Sequence, residues 1–262
     1  MENALKDIRV LTLAIQKHGC VLLLDFDGTL SPLVTNPADA ALPAATREIL
    51  RNAAKHFPIA IISGRPLAHI RRLIGIRDIA YAGEHGRTWG IGSRHFEIPL
   101  PRKTQKGYDE ARSALIQVAH EYPALVRENK KTSIAFNYRT LSAADSRTFR
   151  SKARRAVAPF IRSGSIRLLD ATRTFEVAAN TGWTKGECAL HLYKALKGAG
   201  SSKRIPVYIG DSLTDEDAYR ALSGGITIRV GNSHKSAARY YLRHQRDVAS
   251  FIKKIIATHS SD

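Results

Sequence analysis

Cysteine is scarce. Cys20 and Cys188 are the only two in 262 residues, so no framework of disulfides holds the chain together. Each sits in an apolar stretch and reads as a core thiol rather than a ligand, and no Cys/His spacing resembles a zinc site. Long hydrophobic runs are missing too. No stretch of about 18 apolar residues occurs, which leaves no membrane-spanning helix. The segment Met1–Lys17 mixes acid, base and apolar residues without the layout of a cleavable signal, so a soluble, cytoplasmic protein is expected. Acid is in short supply as well: 23 Asp/Glu face 41 Lys/Arg, a net charge of +18 at pH 7. Nucleic acid, acidic lipid and small anionic substrates all suit a basic protein. The basic residues are dispersed, however, and the clusters Arg71-Arg72 and Lys152-Ala153-Arg154-Arg155 fall within helical patterns as solvated faces. No aromatic-interleaved basic stripe and no nucleic-acid motif is present, so no specific nucleic-acid partner and no membrane are expected.

What is present is organised around Val21-Leu22-Leu23-Leu24-Asp25-Phe26-Asp27-Gly28-Thr29-Leu30. The apolar run reads as a strand buried on both faces. It delivers two carboxylates, a glycine and a hydroxyl at its C-terminal end, where open α/β sheets place their chemistry. The pattern then repeats. A helix after Pro43 leads to a strand over 59–62, ending at Ser63-Gly64-Arg65. A helix after Pro66, closed by Gly75, leads to a strand over 79–82, ending at Gly83-Glu84-His85-Gly86. Such alternation specifies a parallel sheet with right-handed crossovers. A short amphipathic helix with Leu5, Ile8, Leu11, Leu13 and Ala14 precedes it, and a hairpin spans 87–98.

From Pro99-Leu100-Pro101 the order changes to helix, strand, strand, helix, strand, strand. Residues 101–180 therefore read as an inserted αββαββ unit within a core formed by 1–100 and 181–262. The insert holds 16 Lys/Arg against 7 Asp/Glu, half of the net charge. Helix–strand alternation resumes with a helix from Thr184-Lys185-Gly186. A strand over 207–209 follows, ending at Gly210-Asp211-Ser212. Thr214 is read as the N-cap of a short helix, with Asp217 at N3. A strand over 226–230 and a last helix capped by Asp247 complete the core.

The strand ends carry Asp25/Asp27/Thr29, Ser63/Arg65, Glu84/His85 and Asp211/Asp215, and Lys185 can face the same edge. Clustered carboxylates cannot all stay ionised and close together without a cation. Hard oxygen ligands without thiolate favour Mg²⁺ over zinc. A nucleophilic carboxylate beside a metal implies phosphoryl transfer, whose slow uncatalysed reference demands acceleration on the order of 10²¹-fold. Asp25 is placed to form an aspartyl-phosphate, and Asp27 to protonate the leaving oxygen and then activate water.

These residues resemble the four motifs of the haloacid dehalogenase superfamily of phosphatases. The insert resembles the cap of its trehalose-6-phosphate phosphatase family, through Glu128-Asn129-Lys130-Lys131-Thr132-Ser133-Ile134-Ala135-Phe136-Asn137-Tyr138-Arg139, Gly182-Trp183-Thr184-Lys185-Gly186 and Asp211-Ser212-Leu213-Thr214-Asp215-Glu216-Asp217. The resemblance covers about Leu22 to Ile252. It implies a Rossmann-like α/β core of haloacid-dehalogenase type with an α/β cap, and Mg²⁺-dependent hydrolysis of trehalose 6-phosphate to trehalose and phosphate in trehalose biosynthesis. It makes Asp25 the nucleophile and a metal ligand. Asp27 becomes the acid/base and a carbonyl ligand, Asp211 the third ligand, and Asp215 its support. Ser63 and Lys185 hold the phosphate. Glu128, Lys130 and Glu176 contact sugar hydroxyls, with Arg65, Glu84, His85 and Arg139 as further substrate contacts. Closure of the cap about hinges at Pro99–Pro101 and Asn180–Gly182 is also implied.

The family usually has a second acid where Ser212 stands, and often a histidine where Asn137 stands. A phosphatase for sucrose 6-phosphate or mannosyl-3-phosphoglycerate is the alternative within the enzymes, and a basic nucleic-acid-binding protein on a phosphatase scaffold the alternative outside them. A monomer is favoured.

Overall fold

The structure is a computed structural model describing residues 1–34, 39–171, 173–198 and 204–259. Two units divide the chain: Met1–Glu97 with Thr184–Asp262, and Ile98–Trp183. In chain order the first unit holds β1 (Glu2–Asn3), α1 (Ile8–His18), β2 (Cys20–Leu24), α2 (Ala44–His56), β3 (Ile59–Ile62), α3 (Leu67–Ile74), β4 (Ala80–Gly83), β5 (Thr88–Ile91) and β6 (Arg94–Glu97). The second contributes α4 (Arg102–Ala119), β7 (Val126–Asn129), β8 (Ser133–Asn137), α5 (Ala143–Arg162), β9 (Ile166–Ala171) and β10 (Thr174–Ala179). The first then resumes with α6 (Lys185–Leu196), β11 (Ile205–Gly210), α7 (Asp215–Ala221), β12 (Ile226–Val230), β13 (Tyr240–Leu242) and α8 (Arg246–His259).

The first unit is built on a nine-stranded sheet of order β1-β13-β12-β11-β2-β3-β4-β5-β6. It is parallel from β1 through β4 and antiparallel at β5 and β6. β2 sits at its centre, all five residues fully buried, as an apolar run without alternation requires. Leu22 and Leu24 share one cluster with Leu11, Ile15, Ile49, Leu50, Ile70 and Phe251, so α1, α2, α3 and α8 cover that face. α6 packs against β2, β3 and α7 on the other. Each such Leu or Ile taken from water contributes about 1.5–3 kcal/mol. The sheet thereby brings the C-terminal ends of β11, β2, β3 and β4 side by side.

Local chemistry sets the helix ends. Pro43 and Pro66, with φ of −56° and −55°, stand immediately before α2 and α3. Gly75 closes α3 in the left-handed conformation, donating its N–H to Arg71 O. Three local expectations are corrected. Leu13 is 57% exposed, and Ile15 takes the inward place on α1. Thr214 makes no side-chain cap: its hydroxyl lies 2.9 Å from that of Ser212. Asp247 lies inside the first turn of α8 and accepts from the N–H of His244 at 2.9 Å, instead of preceding the helix. The short strands β1 and β13 were not legible as strands, since each has only two or three residues.

The second unit is a four-stranded antiparallel sheet of order β7-β8-β10-β9. Ile134, Phe136, Phe175 and Val177 pack against Tyr108, Leu115, Phe149 and Val157 of α4 and α5. The two-residue period of strands therefore turns Glu128, Ser133, Ala135 and Glu176 to the opposite face.

Candidate active site

Lys185 is the pivot of the cluster. It is the first residue of α6, whose start is fixed by a capping box: Thr184 Oγ1 accepts from Gly186 N, and Glu187 Oε2 accepts from Thr184 N. That geometry carries the lysine ammonium to Asp25 Oδ1 at 2.7 Å and Asp215 Oδ1 at 2.9 Å. The three side chains are 3%, 6% and 0% exposed. Burial alone would push the ammonium down, but the Asp215 and Asp25 carboxylates outweigh it and hold it above the usual lysine range. The lysine thus stays charged.

Asp25 follows β2 directly, and its N–H donates to Ile209 O of β11. Burial pushes its carboxyl well above the ordinary range; Lys185 opposes this, and the Asp215 and Asp211 charges reinforce it. Thr29 Oγ1 donates to its second oxygen at 3.3 Å. Asp211, after β11, is pushed up to about 7 by burial and by Asp215. Asp215 is different. Its Oδ1 accepts from Lys185 and from Tyr208 Oη at 2.7 Å, and its Oδ2 accepts from Asp211 N, Ser212 N and Ser212 Oγ. Burial would raise it, but Lys185 and these hydrogen bonds prevail and hold it below the usual range. It remains an anion.

Asp25, Asp211 and Asp215 each offer an oxygen within 4.8 Å of the others. All are hard donors, and burial pushes the nearby Cys188 thiol far up, so thiolate does not compete. A Cβ on Gly28, whose φ is +81°, would lie 2.1 Å from Asp211 Oδ2, so glycine is what lets that carboxylate approach the turn. Asp27, by contrast, does not join the cluster through its carboxylate. Arg65 Nε and Nη2 donate to its two oxygens at 2.8 and 2.7 Å, and the guanidinium lies 5.6 Å from the Phe26 ring centroid.

Ser63 closes β3 fully buried, its hydroxyl accepting from Arg65 N at 3.1 Å. Glu84, His85 and Gly86 run through left-handed backbone in succession, with φ of 53°, 58° and 96°, a strained geometry of the sort found beside functional sites. The His85 ring lies where a Cβ on Gly64 would stand, 2.6 Å from Cε1. Glu84 is taken up by Arg87, which donates to it at 2.6 and 2.9 Å and to Glu97 at 2.7 Å.

In the second unit, Lys130 Nζ donates to Glu176 Oε1 at 2.9 Å, and Ser133 Oγ donates to the same oxygen at 2.7 Å. Glu128 shares that face, paired across β8 through Ala135. Lys130 thus pairs with Glu176 across the sheet. Arg139 lies in the turn after β8, its N–H donating to Asn137 Oδ1 at 3.0 Å. Tyr208 and Ser133 escaped the sequence reading because each sits in an apolar strand and looks like filler. Ser212, which stands where an acid was expected, donates to Asp215.

A family model described as trehalose-phosphatase matches residues 23–246. The chain belongs to the trehalose-phosphatase family. Its curated relatives include a probable trehalose-phosphate phosphatase 3 of Oryza sativa subsp. japonica, 31% identical over 255 residues, 90% of this chain and 69% of that one. The trehalose-phosphate phosphatase of Mycobacterium bovis is 32% identical over 249 residues, 89% of this chain and 60% of the relative. The solved C-terminal domain of Candida albicans trehalose-6-phosphate phosphatase superimposes with a TM-score of 0.85 at 20% identity, covering 95% and 96% of the two chains. As a member of the trehalose-phosphatase family, the chain is a phosphoric monoester hydrolase with a haloacid-dehalogenase-like α/β fold. No helix among the described residues is long and apolar enough to cross a membrane.

Proposed function

We propose that this chain hydrolyses trehalose 6-phosphate to trehalose and phosphate through an aspartyl-phosphate on Asp25. The observation that carries this reading is the division of three aspartates around Lys185. Asp215 is saturated by donors and stays anionic, Asp211 lies beside it, and Asp25 keeps one oxygen bonded only by Thr29 among the contacts described. Asp25 is therefore the carboxylate suited to attack phosphorus. Lys185 lowers the like-charge repulsion between the carboxylate and the phosphoryl oxygens, and Ser63, at the end of the neighbouring strand, supplies a hydroxyl for the phosphate.

Asp27, oriented by Arg65, delivers a proton to the departing sugar oxygen and then takes one from water. Mg²⁺ would be held by the carboxylates of Asp25 and Asp211 and the backbone carbonyl of Asp27, with Asp215 as support. When bound, it neutralises charge on the transferring phosphoryl group. Glu128, which is half-buried, and the Lys130–Glu176 pair grip sugar hydroxyls: a site built to hydrogen-bond hydroxyls discriminates strongly against analogues lacking them. A cytoplasmic setting is part of this reading, supported by the free buried thiols of Cys20 and Cys188.

The decisive experiment measures phosphate release from trehalose 6-phosphate, sucrose 6-phosphate and mannosyl-3-phosphoglycerate, each with Mg²⁺ and with chelator. A clear kcat/KM preference for trehalose 6-phosphate, lost in chelator, is expected. Equal kcat/KM across the three would overturn the substrate assignment, and full activity in chelator the Mg²⁺ assignment.

A further inference from the structure

The chemistry above makes no use of the chain's excess positive charge, and α5 concentrates that charge on one face. This helix turns Ser146, Phe149, Ala153 and Val157 inward. Arg147, Arg154, Arg155 and Arg162 are all exposed, and a period of 3.6 residues places them in one strip of roughly 100°. Along the axis they span about 22 Å at 1.5 Å per residue. Ala144 and Ser151 lie between them, exposed and small. None of the four has an acidic residue three or four positions away, the spacing at which a helix offsets its own charges. Lys152 is set apart from this strip, its ammonium paired with Glu121 at 2.5 Å, and Arg150 lies over the Tyr138 ring, 6.0 Å from its centroid.

We propose that this face of α5 binds the phosphodiester backbone of nucleic acid without regard to base sequence. Arginine forks match phosphate oxygens in pairs, which lysine does not do. The strip is long enough to meet several phosphates of one strand, and its small residues let the helix lie close to them. A helix that lies in a membrane surface needs bulky apolar side chains flanking its charges. Phe149 and Val157 are buried in the core instead, and Ile161, at 40%, is the only bulky apolar residue of α5 classed as exposed. The face is also remote from the sugar chemistry, because α5 packs on the side of its sheet opposite to Lys130 and Glu176. Nucleic-acid binding here is thus separable from phosphatase turnover.

The test is fluorescence anisotropy of the full chain with mixed-sequence duplex DNA of about 20 base pairs, over roughly 50–200 mM salt. Log K is expected to fall linearly with log salt, with a slope of about −3 to −4 for four phosphate contacts. The fourfold variant R147Q/R154Q/R155Q/R162Q should lose most of that slope and bind at least about tenfold more weakly, with its circular dichroism and phosphate release unchanged. A charge-matched control in the first unit, R51Q/K55Q/K253Q/K254Q, should bind as the parent does. Should the fourfold variant prove insoluble, R154E and R155E singly carry the same expectation of weaker binding. Three outcomes overturn the proposal: no salt-dependent binding, equal losses in the α5 variant and the control, or binding to phosphatidylserine vesicles without binding to the duplex.

Discussion

Arg65 grips both carboxylate oxygens of Asp27, at 2.8 and 2.7 Å, and is itself buried against Phe26. The pair fixes where the proposed proton carrier points, two residues from the proposed nucleophile. Arg65→Ala frees Asp27 to rotate, and kcat should fall about 100-fold with KM changed far less, as for loss of a group acting in the transition state. A rise in KM at unchanged kcat would show that Arg65 binds ground-state substrate instead.

Asp25→Asn removes the proposed nucleophile while keeping the shape of the side chain. Turnover should drop by about 10⁴-fold or more, with circular dichroism and thermal unfolding close to the parent. Phosphate release at the parental rate would eliminate the covalent route.

Gly28 sits at φ +81°, and its missing Cβ would stand 2.1 Å from Asp211 Oδ2. Gly28→Ala therefore strains the backbone and pushes the carboxylate away. A loss of about 1–3 kcal/mol, read as a lower unfolding temperature, should accompany weaker Mg²⁺ stabilisation.

Asp211 has its carboxyl raised to about 7, by burial first and by Asp215 next, from the ordinary aspartate value of 3.8. The native state thus binds more protons than the unfolded chain between those values, and stability falls as pH rises through them. In chelator, the unfolding temperature of the parent should decline from about pH 4 to pH 7 more steeply than that of Asp211→Asn, by about 5 °C over the range. Parallel curves for the two proteins would refute the assignment. Adding Mg²⁺ at pH 7.5 should then stabilise the parent but not the variant.

Glu176 accepts from Lys130 and Ser133 on a face away from its unit's core. If that group grips sugar, Glu176→Gln should raise KM for trehalose 6-phosphate about tenfold or more while leaving turnover of p-nitrophenyl phosphate intact. Equal damage to both substrates would assign Glu176 to the fold alone.

Much of this architecture was legible because the strands that carry the site, β2, β3, β4 and β11, lead from apolar runs into polar residues. Buried parallel strands show no alternation, so Val21–Leu24, Ile59–Ile62 and Val207–Ile209 stand out against helices of period 3.6. The site aspartates were legible for the same reason, Asp25 one step and Asp211 two steps past those runs. What stayed hidden depends on side-chain direction. Nothing in the sequence says that Asp27 faces Arg65 while Asp25 faces Lys185, or that Lys130 reaches Glu176, 46 positions away. Tyr208 was hidden by its strand, where a hydroxyl inside an apolar run reads as packing until a carboxylate is found against it.

The capping box at Thr184 and Glu187 has a consequence for exchange of parts. It defines the start of α6 from Thr184 and Glu187, so within the first unit Lys185 is placed by that cap and by Asp25 and Asp215, without a residue of the second unit among its described hydrogen-bond partners. The chain leaves the first unit at Glu97 and returns at Thr184, which makes these two points natural splice sites. A foreign insert joined there would inherit an intact Lys185 ammonium and the proposed nucleophile, Asp25. With the sugar contacts proposed for Glu128, Lys130 and Glu176 carried by the insert, such an exchange would change substrate choice without rebuilding the proposed chemistry.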